Sequence, residues 1–355
     1  MSVNKCPVII AGPCSAESED QLFATAKALK DICVLNDGRT LSVSMLRAGL
    51  WKPRTHPDTF QGVGAGGFKW LTRIHKELGM KVMVEVASAG HVREALKHGV
   101  DAVWIGARTT TNPFLVQEIA SELSGSGIPV YVKNPVNPDL ELWAGAVERL
   151  RGAGLSDITA IHRGFSFFGK SRYRNIPQWQ VPLDFRGRFP DVPMLCDPSH
   201  IAGDRELVPE IAQKALDLDF DGLFIESHIS PESALSDSQQ QITPAELARL
   251  LAKLVIRQSS APDGTMPRRI EILRSQIDVI DDNIVDLLAK RMEISAEIGR
   301  CKSESNIAVF QPDRWQKVLE SVSSQAESLG LDQSAVREIF KIIHQQSIDR
   351  QREDF

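Results

Sequence analysis

The chain has 355 residues, 42% of them hydrophobic and 25% charged, with a formal net charge of −5. That is enough apolar material for one large core plus a smaller unit, and too little for two full-sized domains of equal weight. The mild acidity gives no reason to expect attraction to nucleic acid or to an anionic membrane, so anionic ligands would need local basic clusters.

The chain opens MSVNKCPVIIAGPCS, where the apolar run is far too short to span a bilayer and no basic segment precedes it. Five cysteines (Cys6, Cys14, Cys33, Cys196, Cys301) are few, odd in number and scattered, the pattern of reduced thiols rather than of a disulfide framework. A cytoplasmic location is expected. From Pro7 to about Ile256, eight apolar runs follow one another: PVIIAG, LSVSMLRAG, KVMVEVAS, DAVWIGA, IPVYVKN, ITAIHRG, VPMLCDPSH and FDGLFIES. Most precede a helical pattern such as DQLFATAKALKDI, as buried parallel strands in βα units do. Eight units in about 250 residues predict an α/β fold, a (β/α)8 TIM barrel over residues 1–256. An open doubly wound sheet is the alternative. Gly62, Gly64 and Gly67 of GVGAGGF have dinucleotide-binding spacing, but the preceding HPDTFQ is polar and is no strand, so a loop into the helix FKWLTRIHKEL is expected instead.

Residues 257–267, RQSSAPDGTMP, read as a linker, and the texture then changes. In 268–355, apolar residues at helical spacing (Ile270, Leu273, Ile277, Ile280, Ile284, Leu287, Leu288) predict one long helix. Two shorter ones are expected at about 312–328 and 333–350, with Pro312 suited to a first turn and Gly330 to a stop. Three helices of this size bury little surface alone, so a homodimer through this all-α part is expected.

Barrel active sites lie at the C-terminal ends of the strands, and the polar residues falling there are Cys14, Arg47, Lys52, Arg54, Arg108, Lys133, Arg163, His200, Glu226 and Asp237. Taken singly, each basic residue reads as part of a solvated rim. Taken together, each following an apolar run, they suit phosphate and carboxylate groups. Cys14, His200, Glu226 and Asp237 offer a thiolate, an imidazole and two carboxylates, donors compatible with a divalent ion of the Mn, Fe, Co or Zn type. They are too far apart in sequence for a local metal motif, and a structural thiol, a helix cap and two surface acids is the plainer alternative.

Several blocks then match a family in order. AGPCSAES, LRAGLWKPRT, IGAR, the lysine of YVKN, the arginine of HRG, DPSH, and IESH followed by ALSD resemble the signature blocks of 3-deoxy-D-arabino-heptulosonate 7-phosphate (DAHP) synthase, in its short form without an added N-terminal regulatory domain. The resemblance covers about residues 5–256. It implies condensation of phosphoenolpyruvate with erythrose 4-phosphate. It also implies that Cys14, His200, Glu226 and Asp237 ligate a divalent metal, and that Arg47 and Lys52 meet the phosphoenolpyruvate carboxylate. Arg108, Lys133 and Arg163 would then form its phosphate site, Arg54 and Thr55 would hold erythrose 4-phosphate, and Lys52 would be a proton donor. His56, Asn134 and His162 stand where serine, arginine and glutamate are common in the family, which leaves the substrate contacts there open. The related synthase acting on arabinose 5-phosphate has an Asn-containing block where this chain has Lys52-Pro53-Arg54-Thr55, so the four-carbon aldehyde is favoured.

In the helical part Arg274, Arg291, Lys302, Arg314, Ser347 and Gln351 would on their own pass for solvated helix polarity. However, ILRSQID, LLAKRMEIS, IGRCK, PDRW and SIDRQ resemble the all-helical chorismate mutases over about residues 268–353. That resemblance implies rearrangement of chorismate to prephenate. Arg274 would bind a substrate carboxylate across a dimer, and Arg291 with Ser347 would bind carboxylates within the subunit. Lys302 and Gln351 would donate to the ether oxygen, and Arg314 would complete the pocket. Gln311 and Trp315 replace acids that contact the substrate hydroxyl in relatives, so a sensing role for chorismate or prephenate, regulating the barrel, is the competing expectation.

Overall fold

The computed structural model describes residues 6–52, 58–257 and 265–352. The chain divides into two compact units, 1–260 and 261–355. In the first, β1 (Val8–Gly12), β4 (Met45–Ala48), β5 (Val82–Val86), β6 (Ala102–Ile105), β7 (Val130–Lys133), β8 (Ile158–His162), β9 (Met194–Cys196) and β10 (Gly222–Glu226) close into a parallel barrel. β1 pairs with both β4 and β10, with Ile10 opposite Met45 and Phe224. The eight apolar runs are these eight strands, so the TIM-like barrel stands and the open sheet is excluded.

Between β1 and β4, β2 (Cys33–Asn36) and β3 (Arg39–Ser42) form an antiparallel hairpin. Asp37 and Gly38 make its turn at φ 46° and 72°, the mirror-image geometry that Asp-Gly favours. The barrel-side helices are α1 (Glu19–Lys30), α2 (Phe68–Leu78), α3 (Ala89–Lys97), α4 (Ala107–Thr110), α5 (Pro113–Leu123), α6 (Leu140–Gly152), α7 (Gln180–Arg188), α8 (Pro198–Ala202), α9 (Val208–Asp217) and α10 (Pro244–Lys253). Many start where a short polar side chain can accept from the first-turn amides: Ser18 for α1, Asn112 for α5, Asp197 for α8, and a full capping box of Thr243 with Glu246 for α10. The glycine-rich stretch is a short 3-10 turn, Gly64–Gly67, running directly into α2.

Strand alternation splits the side chains into two sets. Ile10, Met45, Met83, Ala102, Trp104, Ile161, Leu195 and Phe224 fill the barrel interior. Residues such as Ile9, Val84, Ile105, Val132 and Ile225 face the helices and join the larger core between sheet and helix ring. Trp104 and Phe224 meet edge to face at 5.4 Å and plug the interior just below the strand ends.

The second unit is three helices, α11 (Thr265–Glu304), α12 (Pro312–Ser328) and α13 (Gln333–Arg352). Gly299 does not break α11, because α13 crosses there so closely that a Cβ would lie 2.7 Å from the Gln351 carbonyl oxygen. The buried residues of this unit are few and small, among them Ala296, Leu319, Ser323 and Ala326. Along α11, by contrast, Leu273, Ile277, Ile280, Ile284 and Leu287 are between 49% and 64% exposed. Among the described residues no helix is long and apolar enough to cross a membrane.

Candidate active sites

At the C-terminal end of the barrel a cavity of about 260 Å³ is lined by Arg47, Lys52, Glu85, Arg108, Lys133, Arg163, Arg174, His200 and Asp237, among others. Beside it, the Cys14 Sγ, a Glu226 carboxylate oxygen and an Asp237 carboxylate oxygen lie within 4.8 Å of one another. The strands place them: Cys14 follows β1, Glu226 ends its hydrogen-bonded neighbour β10, and Asp237 lies in the loop after β10 in a left-handed conformation, φ 49°. His200 is on α8, with Nε2 3.8 Å from Glu226 Oε1 and Nδ1 2.8 Å from Asp197 Oδ2. Thus three of the four expected ligands cluster directly, and the imidazole stands at the cluster's edge, held from behind by a carboxylate as metal-binding histidines are.

The Cys14 thiol donates to Asp237 Oδ2 at 3.1 Å, and burial, with Glu226 next in effect, pushes its pKa up to about 12. Burial also opposes ionisation of Glu226 and Asp237, but His200, together with Arg47 for Glu226 and Arg174 for Asp237, outweighs it and holds both carboxyls below their ordinary range. Such a set of soft and hard donors, crowded and anionic, fits a borderline divalent cation that displaces the thiol proton.

The basic residues form a second layer over the aromatic plug. Arg47 is 1% exposed and stacks over Phe224 at 4.5 Å and Trp104 at 5.1 Å, while pairing with Glu226 at 3.0 Å and approaching Asp197 to 3.8 Å. Lys133 donates to Asp197 at 2.7 Å, and burial lowers its pKa against that partner. The Arg163 guanidinium donates to Asn175 at 2.7 Å; burial, opposed by Asp197 and reinforced by Arg174 and Arg108, brings it down to about 10. Lys52 is moved the other way. Burial disfavours its charge, but Cys14, Glu85 and Glu226 outweigh that and raise its pKa, leaving an ammonium aimed at the site. Arg108, on α4, is exposed and lines the cavity. Arg54, Thr55 and His56 lie outside the described residues.

The two described departures now have physical accounts. Asn134 is buried: its Oδ1 accepts from the Arg163 amide at 2.6 Å, and its Nδ2 donates to the Gly164 carbonyl at 2.8 Å. It braces the arginine rather than lining the cavity. His162 faces away from the barrel interior and packs beside Trp179 at 5.3 Å, Phe165 at 5.7 Å and Phe220 at 6.2 Å. Burial, with Arg163 next in effect, brings its pKa down to about 3, so it is a neutral core residue. Sequence reasoning missed Asp197, Glu85, Arg174, Asn175 and Gln240. Asp197 had a visible signal in DPSH and Glu85 in its place at the end of the run KVMVEVAS, whereas Arg174, Asn175 and Gln240 sit in stretches with no strand-end pattern.

In the helical unit Arg291 donates to the Ser347 hydroxyl, and also to the Ile343 carbonyl at 3.4 Å. Lys302 donates to Gln351 Oε1 at 3.0 Å and to the Val309 carbonyl at 2.6 Å, and burial lowers its pKa. These two pairs hold α11 against α13, and Ser347 and Gln351 are 3% and 8% exposed. Arg274 is exposed, and it lies 17 positions before Arg291 on the same helix, about 25 Å along its axis. Arg314 is exposed near the start of α12, and Gln311 is that helix's N-cap without a side-chain capping bond. Trp315 stacks on His344 at 3.9 Å, with Phe310 at 5.9 Å from the same ring, a contact the sequence did not suggest.

Together, a barrel mouth with convergent cations over a thiol–carboxylate cluster and a helical unit with paired arginine, lysine and amide donors define a two-unit protein built to bind small polyanions. The chain belongs to the DAHP synthetase I family, whose profile matches residues 3–260, and carries a chorismate mutase type II domain at residues 273–352. It is 32% identical over 234 residues to a phospho-2-dehydro-3-deoxyheptonate aldolase of Thermotoga maritima, covering 66% of this chain and 64% of that protein's own length. A 2-dehydro-3-deoxyphosphooctonate aldolase of a Bradyrhizobium strain is 29% identical over 262 residues, 70% of this chain and 86% of that one. The crystal structure of the DAHP synthase of Thermotoga maritima superposes with a TM-score of 0.61 at 31% identity, over 70% of this chain and 68% of that one. A truncated form of the 3-deoxy-D-arabino-heptulosonate 7-phosphate synthase from the same organism gives 0.58 at 28% identity, over 70% of this chain and 85% of that one.

Proposed function

We propose that the barrel condenses phosphoenolpyruvate with erythrose 4-phosphate to DAHP and that the helical unit rearranges chorismate to prephenate, two steps of aromatic amino-acid biosynthesis, with the chain divided as 1–256, a linker 257–267 whose last three residues already belong to α11, and 268–355. The observation that carries the first reading is the convergence of Lys52, Arg108, Lys133 and Arg163 on one cavity beside Cys14, Glu226 and Asp237. A divalent ion of the Mn, Fe, Co or Zn type, held by Cys14, His200, Glu226 and Asp237, would supply Lewis acidity toward the aldehyde oxygen. The chain's own residues do the rest. Arg108, Lys133 and Arg163 hold the phosphoenolpyruvate phosphate, while Arg47 and Lys52 meet its carboxylate. Two anionic substrates are thereby held together in one orientation against their mutual repulsion. Lys52, kept cationic by its anionic neighbours, donates the proton to the forming alkoxide. Arg54 and Thr55 are proposed for erythrose 4-phosphate on the family match alone.

In the helical unit the ether C–O bond of chorismate breaks as a C–C bond forms within the same molecule, so no proton transfer and no covalent enzyme intermediate is needed. Arg291 with Ser347, and Arg274 from a second copy, would fix the two carboxylates of chorismate. Lys302 and Gln351, already within 3.0 Å of each other, would stabilise the charge that grows on the ether oxygen. The exposed apolar residues of α11 support the homodimer that this requires.

Two second readings have specific support. The phosphooctonate aldolases are nearly as similar as the Thermotoga enzyme, which keeps arabinose 5-phosphate in view. Trp315 and its stack on His344 occupy a place where acids are expected, which favours a chorismate or prephenate sensor. The deciding experiment offers metal-loaded full-length protein phosphoenolpyruvate with each aldose phosphate, and chorismate separately. DAHP and prephenate as products sustain the proposal; a product from arabinose 5-phosphate only, or no chorismate turnover, replaces the corresponding half.

A further inference from the structure

The two carboxylates of the barrel cluster are joined outside it by a circuit of hydrogen bonds. Asp237 divides its oxygens: Oδ2 accepts from the Cys14 thiol, whereas Oδ1 accepts from Arg174 Nη1 at 3.1 Å. The same Nη1 donates to Gln240 Oε1 at 2.6 Å, and Gln240 Nε2 donates to Glu226 Oε2 at 2.6 Å. Glu226 Oε1 is left toward Arg47 and His200. One arginine and one amide therefore link the outer oxygens of the two carboxylates, Asp237 Oδ1 and Glu226 Oε2, while Asp237 Oδ2 keeps the thiol and Glu226 Oε1 keeps Arg47.

The circuit is held from outside as well. The Arg174 amide donates to the Ala202 carbonyl at 3.1 Å, and its neighbour Asn175 ties the Arg163 guanidinium to the His200 carbonyl at 2.7 Å on each side. Gly203, at φ 71°, lies under the Arg174 stem, where any Cβ would overlap the Arg174 Cβ. Gln240 is 1% exposed and has little room to turn. Asp237 itself sits in a left-handed conformation on a loop, a backbone state that is held by what surrounds it.

We infer that Arg174 and Gln240 are positioning residues that aim Asp237 and Glu226 at a divalent cation, acting as one unit rather than as two independent contacts. This rests on the reading that Cys14, Glu226 and Asp237 hold a metal. A guanidinium near a cation site also repels the cation, which makes the sign of the effect informative. The side chain of Arg174 is 47% exposed, so water screens that repulsion, while its 3.1 Å bond to Asp237 is direct. Positioning therefore prevails, and removing Arg174 weakens metal binding.

The test strips the full-length protein of metal and titrates it with Co(II), reading the thiolate-to-cobalt absorption band and the Kd by competition with a chromophoric chelator. Arg174→Met and Gln240→Leu should each weaken the Kd by roughly 10- to 100-fold, and Arg174→Lys should recover part of the loss. The double variant should lose little more than the worse single one, because both changes open the same circuit. Gln240→Leu changes no charge, so its loss cannot be ascribed to electrostatics; if it fails to fold, the half-exposed Arg174 variants carry the test. An unchanged or tighter Kd in Arg174→Met overturns the inference, as do additive losses in the double variant. Wild-type protein that takes up no Co(II) sinks the underlying metal reading instead, a distinguishable failure.

Discussion

Lys302 Nζ and Gln351 Oε1 are 3.0 Å apart, so the two groups proposed to receive the ether oxygen of chorismate bond to each other across α11 and α13. That bond uses the amide oxygen, so the remaining Lys302 N–H groups and the Gln351 Nε2 are the donors left for the ether oxygen. Alanine at either position should lower the mutase kcat by roughly 10²-fold or more, the scale of losing one preorganised donor to a developing oxyanion. Condensation should be spared. Unchanged chorismate turnover in both variants would favour the sensor.

Chelator treatment separates the two units. All the expected metal ligands are in the barrel, so removing the cation should abolish condensation and leave chorismate rearrangement nearly intact. Equal loss of both activities, measured on one preparation, would contradict the assignment.

Cys14→Ala should lose metal and condensation together, because a coordination set short of its thiolate is incomplete. The measurement is metal content of the purified variant beside its DAHP output. A fully active Cys14→Ala protein would show that the thiol is structural.

His162 gives a pH prediction for stability. Its folded pKa is brought down to about 3 from the ordinary 6.5, so below pH 6.5 the unfolded chain binds a proton that the folded barrel refuses. Stability contributed by this residue is intact above pH 6.5 and falls as pH drops toward 3, at up to about 1.4 kcal/mol per pH unit. Denaturant unfolding at pH 7 and pH 5 should therefore show a smaller acid loss for His162→Phe than for the wild type. An identical loss in both would mean that the ring is solvated and titrates normally.

Prephenate or chorismate should inhibit condensation in the full-length protein and not in a version ending near Ile256. A ligand that prefers one population of states over another shifts it, and a coupling of about 1–3 kcal/mol corresponds to roughly 5- to 150-fold inhibition. Reciprocity requires the barrel's substrates to change prephenate affinity by the same factor. Insensitivity of the full-length enzyme would remove feedback as the reason for sharing a chain.

The barrel was legible because its strands are buried on both faces, which makes runs such as IIAG, VWIG and LFIE continuous and places the residue after each at the mouth. The hairpin at 33–42 is hard to see although Asp37-Gly38 announces it, since its strands alternate weakly and its apolar tail merges into the run Leu41–Gly49. Cys14, Glu226 and Asp237 could be nominated one by one, but their mutual approach depends on β1 lying beside β10, a relation that only closure creates. Arg174 and Gln240 were illegible for a different reason. Each lies in an irregular loop whose residue types carry no period, and their significance is wholly in what they touch. At His162, where the family commonly has glutamate, the sequence left the contact open, and the pleat turns its ring to the helix layer.

The exposed apolar stripe on α11 has a consequence for how the protein behaves on dilution. If a second copy covers that stripe, the stability of the helical unit includes an association free energy and therefore depends on chain concentration, whereas the barrel's closed sheet and buried plug complete themselves within one chain. If Arg274 is supplied by that second copy, the mutase pocket would have a threshold concentration below which it comes apart. The barrel has no such threshold in its own ligand set. Serial dilution becomes a way of turning off one activity of the polypeptide while the other persists, and the ratio of the two rates becomes a gauge of how much of the population is paired.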